Sequence, residues 1–329
     1  MERTMHTHHS LIVVFAAFAL MTSAGRAPAQ TWPSRTITTI VPLSAGNAID
    51  VVARAVLEQV SKQIGQPIIV ENRVGAGGTV GANAVAKAAP DGYTLLVHSS
   101  SFSGANAIYT QLPYDTVKDF APVIALGNQP TVLVTSPSKG FKTLDDLVAF
   151  AKANPGKLNY ASAGIGAASH LAAERFRLAA GFVGQHVPFR GPNEALTDVM
   201  AGRVDFYFLP LAPALPLLQS GQLVALAVST PQRSSALPDV PTTIEAGLKD
   251  SSYFFWTAMF VPAVTPRAIV ERLHEETRKA LDTPVVKERL AKLAVEPFLM
   301  TLSQFETFFR DDLAATAKLV LDAGIPRAN

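Results

Sequence analysis

The sequence lacks cysteine, has few charges, and contains no long hydrophobic run after its first 29 residues. The absence of cysteine among 329 residues excludes disulfides, thiolate catalysis and cysteine-ligated metals. With 16% charged residues and a net charge of +2, the chain is a poor partner for nucleic acid. No later apolar stretch approaches the roughly 20 residues of a membrane-spanning helix. The 48% hydrophobic content is typical of packed cores.

The first 29 residues have the pattern of an export signal. Arg3 precedes an apolar run over residues 11–20, and Ala27-Pro28-Ala29 forms a small-x-small cleavage site. The pattern predicts cleavage after Ala29; the alternative is an N-terminal anchor that stays attached. Cleavage removes Arg3, Arg26 and Glu2, which changes the net charge from +2 to +1.

Short β-branched runs alternate with helical patterns along the rest of the chain. Residues 36–41 predict a strand and residues 49–63 a helix, and a second cycle begins at residue 158. This alternation predicts two α/β units with largely parallel sheets. The final helices, at 267–281 and 302–320, have a clear 3.6-residue periodicity.

No motif for nucleotide binding, catalysis or metal binding is complete. The first loop has only Gly46 where a phosphate-binding loop needs two glycines and a lysine, and the glycines of residues 75–81 are misplaced for a dinucleotide fingerprint. No G-x-S-x-G nucleophile elbow exists, and the four histidines after residue 29 have no metal-site spacing. The sequence therefore predicts no catalytic residue, no cofactor and no metal.

Two loops of small residues each join a predicted strand to a predicted helix. They are "PLSAGNAIDVVAR" at 42–54 and "ASAGIGAASHLAAERF" at 161–176. Small residues leave backbone N–H groups accessible, and a helix N-terminus attracts anions. The two loops could face each other across a cleft and hold the carboxylates of one ligand. The equally open alternative is that they are ordinary strand-to-helix turns.

Polar residues after other strands extend this candidate site. Ser99 and Ser100 follow the predicted strand at 93–97, and Arg190 follows the predicted strand at 185–189. Arg190 could pair with a carboxylate, although a surface or hinge role is slightly favoured. For Trp256, with Phe254 and Phe255, packing in a core or hinge is favoured over a wall of the ligand site.

Several stretches match one known family. They include "IVPLSAGNAIDVVAR", "NYASAGIGAASHLAAERF" and "VPFRGPNEALTDVMAGRVD". On these stretches the chain resembles the Bug/TctC-type solute-binding proteins of tripartite tricarboxylate transporters over nearly its whole mature length. The resemblance implies an α/β, two-lobed, periplasmic-binding-protein-like (type II) fold with two hinge crossovers, near residues 123–134 and 250–262. It also implies a periplasmic, non-enzymatic protein that holds carboxylates with backbone amides and waters.

The resemblance and the loops together select the candidate ligand-binding residues. These are Ser44, Ala45, Gly46, Asn47, Ala48, Ser99, Ser100, Ser162, Gly164, Ile165, Gly166, Ser169, His170, Arg190 and Leu209. Ser44 and Asn47 depart from the family pattern and add side-chain donors, while Asp50 is expected to cap the helix. Leu209 stands near where many members carry an acid. Without that acid, we expect a ligand that lacks an amine and has apolar or aromatic bulk.

The resemblance also sets the expected domains and partners. Domain 1 is predicted over residues 31–125 plus 254–329, and domain 2 over 126–253. The predicted function is clam-shell capture of a small organic carboxylate, a dicarboxylate or aromatic carboxylate rather than an amino acid. A monomer would deliver it to a membrane permease of the tripartite tricarboxylate type, with no nucleic acid involved. Alternatives are a ligand-presenting partner of a sensor kinase, or an exported serine hydrolase.

Overall fold

The strands of residues 32–327, the part of the chain that the computed structural model describes, form two five-stranded sheets. The strands of the first sheet are β1 (Ile37–Val41), β2 (Ile68–Asn72), β3 (Thr94–Ser99), β4 (Phe120–Gln129) and β10 (Phe255–Pro262). Those of the second are β5 (Thr131–Thr135), β6 (Leu158–Ser162), β7 (Gly184–Pro188), β8 (Phe206–Pro210) and β9 (Val224–Val228). The predicted export signal and its cleavage site lie outside the described residues.

Both sheets are mixed, with strand orders β2-β1-β3-β10-β4 and β7-β6-β8-β5-β9. In the first sheet β1 runs parallel to β2 and β3, whereas β10 runs antiparallel to β3 and β4. In the second, β6 runs parallel to β7 and β8, whereas β5 runs antiparallel to β8 and β9. The α/β class is confirmed, but the expectation of largely parallel sheets was wrong. The antiparallel pairs involve β5 and β10, the strands on which the chain enters each sheet from the other.

Ten helices are present in the described part of the chain. They are α1 (Ala48–Ile64), α2 (Thr79–Ala86), α3 (Ser101–Ile108), α4 (Leu144–Ala153), α5 (Ala168–Ala180), α6 (Pro192–Met200), α7 (Leu211–Gln219), α8 (Arg267–Asp282), α9 (Pro284–Lys292) and α10 (Leu302–Asp322). The amphipathic α10 lies within two residues of its prediction. Helix α3 was not predicted, because its small, uncharged residues carry no clear periodicity. None of the described helices is long and apolar enough to cross a membrane.

We call each sheet, with the helices packed on it, a lobe. Strands β4 and β5 are separated only by Pro130, so the chain passes between lobes there, and it returns between β9 and β10. Strand β4 remains in the first sheet as far as Gln129, whereas the predicted domain boundary falls after residue 125. The domain limits themselves stay a prediction.

Helices α3 and α10 contribute side chains to the hydrophobic cores of both lobes. Their residues in the core of the first lobe are Phe102, Phe305, Phe309 and Leu313. Their residues in the core of the second lobe are Ala107, Ile108, Leu319 and Val320. The two helices also pack against each other. The lobes are therefore joined through packed helices as well as through the two chain crossings.

Candidate ligand-binding site

A cavity of about 440 Å³ lies between the two lobes and is lined by loops from both. The first residues of four helices reach it: Ala48 of α1, Ser101 of α3, Ala168 of α5 and Pro192 of α6. A helix N-terminus carries partial positive charge and N–H groups without intrahelical acceptors. Four of them around one cavity favour a bound anion.

Arg190 carries the formal charge of the cavity wall, and the described residues that line it include no carboxylate. Among residues 32–327, no Asp or Glu oxygen lies within 4.0 Å of its side-chain nitrogens. Its backbone N–H instead donates to the Glu194 carboxylate at 3.3 Å. The guanidinium is therefore available to an anionic ligand, and an ammonium group would find no counter-charge on the wall.

Asn47 caps helix α1 and organises the first loop. Its Oδ1 accepts hydrogen bonds from the N–H groups of Ile49 at 2.8 Å and Asp50 at 3.2 Å. Its Nδ2 donates to the Ser44 carbonyl. The expectation that Asp50 caps the helix was wrong, because Asn47 stands at the N-cap. Although Asn47 lines the cavity, its side-chain amide is used to hold the loop.

Asp50 holds the same loop from inside the helix. The carboxylate is buried, with 2% of the residue exposed, and it accepts the Gly46 N–H at 2.9 Å. It also accepts hydrogen bonds from Arg54 at 3.1 Å and from Asn72 at 2.9 Å. Burial alone would raise its pKa, but the hydrogen bonds from Arg54, Gly46 and Asn72 hold the pKa below its ordinary value. Asp50 is therefore ionised and fixes the loop beside the α1 N-terminus.

The second loop is held by hydroxyl groups. Ser162 Oγ accepts the Gly164 N–H at 3.1 Å, and Ser169 Oγ accepts the Ala163 N–H at 3.0 Å. Residues of this region whose N–H groups have no acceptor within the described chain are Ile165, Ala168 and Ser169. In the first loop, Ala45 and Ala48 have such N–H groups. These donors, next to the cavity, could bind carboxylate oxygens directly or through water.

The structure places the predicted site residues in two groups. Those that line the cavity are Ser44, Asn47, Ala48, Ser99, Gly164, Ile165, Gly166, Ser169 and Arg190. Those outside its lining are Ala45, Gly46, Ser100, Ser162, His170 and Leu209. Ser100 is buried and its N–H donates to the Trp256 carbonyl at 3.1 Å. Leu209 packs in the core of the second lobe, while its neighbours Phe208 and Pro210 reach the cavity. Contact with a ligand stays a prediction for every one of these residues.

Aromatic side chains complete the wall, among them Phe255, for which packing in a core or hinge was favoured. Tyr109, Tyr207 and Phe255 line the cavity. Trp256, next to Phe255, is fully buried in the core of the first lobe, and its Nε1 donates to Asp312 at 3.2 Å. Since side chains alternate between the two faces of a strand, a core Trp256 puts Phe255 on the opposite face. That alternation was the signal that could have identified Phe255.

Comparison with known proteins identifies the family of the chain. The family described as "Tripartite tricarboxylate transporter family receptor" matches residues 52–325. Protein BugT of Bordetella pertussis is 34% identical over 322 residues, which are 97% of this chain and 99% of BugT. The malate-bound structure of MatC from Rhodopseudomonas palustris is 33% identical, with a TM-score of 0.76, and the match covers 88% of this chain and 100% of MatC. An adipate-bound R. palustris protein is 30% identical, with a TM-score of 0.80 and coverage of 90% and 100%.

The match extends over most of the chain, and the solved structures of a periplasmic transporter and of the periplasmic binding protein BugD share its fold. The predicted resemblance is thereby confirmed, and the serine hydrolase alternative is rejected because the family consists of receptors. The chain belongs to the receptor family of tripartite tricarboxylate transporters, and it is a periplasmic solute-binding protein rather than an enzyme.

Proposed function

We propose that the protein captures a small organic dicarboxylate or aromatic carboxylate in the cavity between its lobes and delivers it to a tripartite tricarboxylate permease. The observation that carries the proposal is the charge pattern of the wall: four helix N-termini and Arg190, without a carboxylate. A second carboxylate gains from Arg190, whereas the ammonium group of an amino acid finds no carboxylate among the described residues of the wall. Malate and adipate, bound by two similar proteins, are both dicarboxylates.

Apolar side chains support a ligand with a hydrocarbon or aromatic body. Ile108, Phe208 and Phe255 lie on the wall between the two polar loops. Such a surface removes the apolar part of a ligand from water, while the loops bind its charged ends. The 440 Å³ volume suits a small molecule.

Capture would proceed by closure of the lobes, taken as residues 31–125 plus 254–329 and residues 126–253. The hinges are proposed near residues 123–134 and 250–262, where the chain crosses between lobes. Closure would bring the two loops onto the opposite ends of the ligand. The mature protein would begin at Gln30 in the periplasm and act as a monomer.

Titration calorimetry on protein freed of bound ligand by unfolding and refolding tests the proposed specificity. The panel is succinate, malate, adipate, phthalate, benzoate, butyrate, aspartate and glutamate. We expect a dicarboxylate or an aromatic carboxylate to bind at least about tenfold more tightly than either amino acid. Tightest binding of aspartate or glutamate would contradict the proposal.

The variant Arg190→Gln tests the role of the cavity charge. We expect about a tenfold loss of affinity for the preferred dicarboxylate, and less than about threefold for a monocarboxylate of the same length. Arg233→Gln is the matched control, because Arg233 is an exposed arginine that pairs with Glu245 at 2.8 Å and is absent from the cavity wall. Equal effects of the two substitutions would assign Arg190 only a general electrostatic role.

A further inference from the structure

A second cavity, of about 310 Å³, lies behind the second ligand loop. Its lining includes His170, Glu174, Arg177 and His186, together with residues 323–326 at the end of the described chain. Ile165 lines both this cavity and the ligand cavity, so the second loop separates the two. The buried polar groups on the far side of the loop are therefore in a position to act on ligand binding without contact with the ligand.

Two histidines hold the glycine N–H groups of the loop. His170 Nδ1 accepts the Gly166 N–H at 3.1 Å. His186 Nε2 is 2.6 Å from Ser162 Oγ, the same oxygen that accepts the Gly164 N–H at 3.1 Å. One imidazole thus acts on the loop directly and the other acts through Ser162. Both glycine N–H groups are engaged within the second lobe, while the N–H group of Ile165, between them, has no acceptor in the described chain.

The two imidazole rings are stacked, and the contact of His170 with the Gly166 N–H depends on an uncharged ring. Their centroids are 3.8 Å apart and their planes differ by 11°. Because His170 Nδ1 accepts a hydrogen bond, the proton of the neutral ring lies on Nε2, which faces Glu174 Oε1 at 3.7 Å. Protonation of Nδ1 would remove the acceptor for Gly166. Charging both rings would also place two like charges in close contact.

The charged groups next to the two histidines, Glu174 and Arg177, are paired with each other. Glu174 accepts hydrogen bonds from the Tyr160 hydroxyl and from Arg177, at 2.8 Å in the second case. Arg177 also donates to the Ala323 carbonyl at 3.4 Å. Burial, with smaller contributions from His186 and Arg177, lowers the pKa of His170 to about 3, and burial lowers the pKa of His186 to about 4. Both rings are neutral at periplasmic pH.

We propose that neutral His170 and His186 are positioning residues for ligand binding: they fix the N–H groups of Gly164 and Gly166 and so leave the Ile165 N–H to the ligand. This inference rests on the proposed function of the cavity. The inference changes the expected role of Gly164 and Gly166. Their N–H groups bind Ser162 and His170 inside the second lobe rather than the ligand. What the glycines contribute to the site is their backbone conformation, with φ of +127° at Gly164 and +77° at Gly166.

Amide hydrogen exchange in the ligand-free protein tests the inference without any ligand. We expect the Gly166 amide to be protected in the wild type, to lose protection in His170→Leu, and to keep most of it in His170→Asn, whose Oδ1 can accept in place of Nδ1. Imidazole NMR signals of both histidines should stay those of neutral rings from pH 8 to pH 5. An unprotected Gly166 amide, protection unchanged in His170→Leu, or titration of either ring near pH 6.5 would overturn the inference.

Calorimetry with succinate, malate and adipate then separates this inference from the proposed function. We expect His170→Leu to lose about tenfold in affinity for whichever of the three dicarboxylates binds most tightly, and His170→Asn to lose less than about threefold. The two variants differ because only asparagine can accept the hydrogen bond from the Gly166 N–H. The melting temperatures of the two ligand-free variants control for a general loss of stability. If none of the three binds wild-type protein, and neither phthalate nor benzoate does, although Gly166 is protected, the proposed function fails and the positioning contacts stand. If both variants bind as the wild type does, the positioning role fails.

Discussion

At the scale of single residues, the second loop needs glycine at a left-handed position. A Cβ on Gly166, at φ +77°, would lie 2.7 Å from Ile108 Cδ1 on the cavity wall. A Cβ on Gly140, at φ +78°, would have no atom within 4 Å. Alanine at either position should lower the free energy of unfolding by about 1–2 kcal/mol for the backbone conformation. We expect only Gly166→Ala to weaken carboxylate binding as well, by about tenfold in calorimetry.

The pair is a controlled comparison because the two glycines have nearly the same positive φ and differ in location. Chemical denaturation measures the shared cost, and calorimetry measures the difference. Equal affinities of Gly166→Ala and Gly140→Ala would mean that the second loop tolerates a shift at its closest approach to α3.

At the scale of elements, Asp50 couples the first turn of α1 to the first loop. Its pKa is lowered in the folded protein, so the ionised form stabilises the fold. That contribution is fully present above the unfolded pKa of about 3.9, and it is lost as pH falls through the folded value. We expect Asp50→Asn to lower the free energy of unfolding at pH 7 by about 1–3 kcal/mol, measured by urea denaturation. The difference from wild type should shrink when the pH is brought below 4.

Asp322→Asn is the control for this prediction. Asp322 pairs with Lys318 in the last turn of α10, where both side chains are largely exposed. Its loss should change the free energy of unfolding by less than about 0.5 kcal/mol. A pH-independent effect of Asp50→Asn would show that lost packing, rather than the ionised carboxylate, accounts for the destabilisation.

At the scale of the whole molecule, α3 and α10 pack into the cores of both lobes, which favours unfolding of the lobes as one cooperative unit. Each helix buries side chains in both cores, for example Phe309 in the first lobe and Val320 in the second. We expect a single calorimetric unfolding transition, with equal calorimetric and van't Hoff enthalpies. Phe309→Ala and Val320→Ala should each lower the temperature of that one transition. Two resolved transitions, with each substitution shifting a different one, would contradict the prediction.

Ligand should raise the temperature of the same transition. At a free concentration of about 100 times Kd, binding adds about 2.7 kcal/mol to the free energy of unfolding, which corresponds to a rise of roughly 5–10 °C. The rise should be absent for acetate at the same ionic strength. A carboxylate that binds in calorimetry but leaves the transition unchanged would contradict selective binding to the folded state.

The sequence alone determined the α/β class, the family and the two loops, because these depend on local pattern. Strand and helix periods identified most elements, and small residues between a strand and a helix identified the loops at Ser44 and Gly164. It did not identify α3, whose residues have no amphipathic pattern, although α3 supplies part of the cavity wall and joins the lobes.

The tertiary structure decided which side chains face the cavity. Phe255 lines the cavity whereas Trp256 is buried. His170, which was expected to bind the ligand, lies behind the second loop. Asn47, a departure from the family pattern, turns its amide to the loop itself. These outcomes depend on strand register and on how the lobes pack, and contacts between residues far apart in the chain leave no local signal in the sequence. The same packing buries the two histidines and so keeps their rings neutral, which no pattern of residues could indicate.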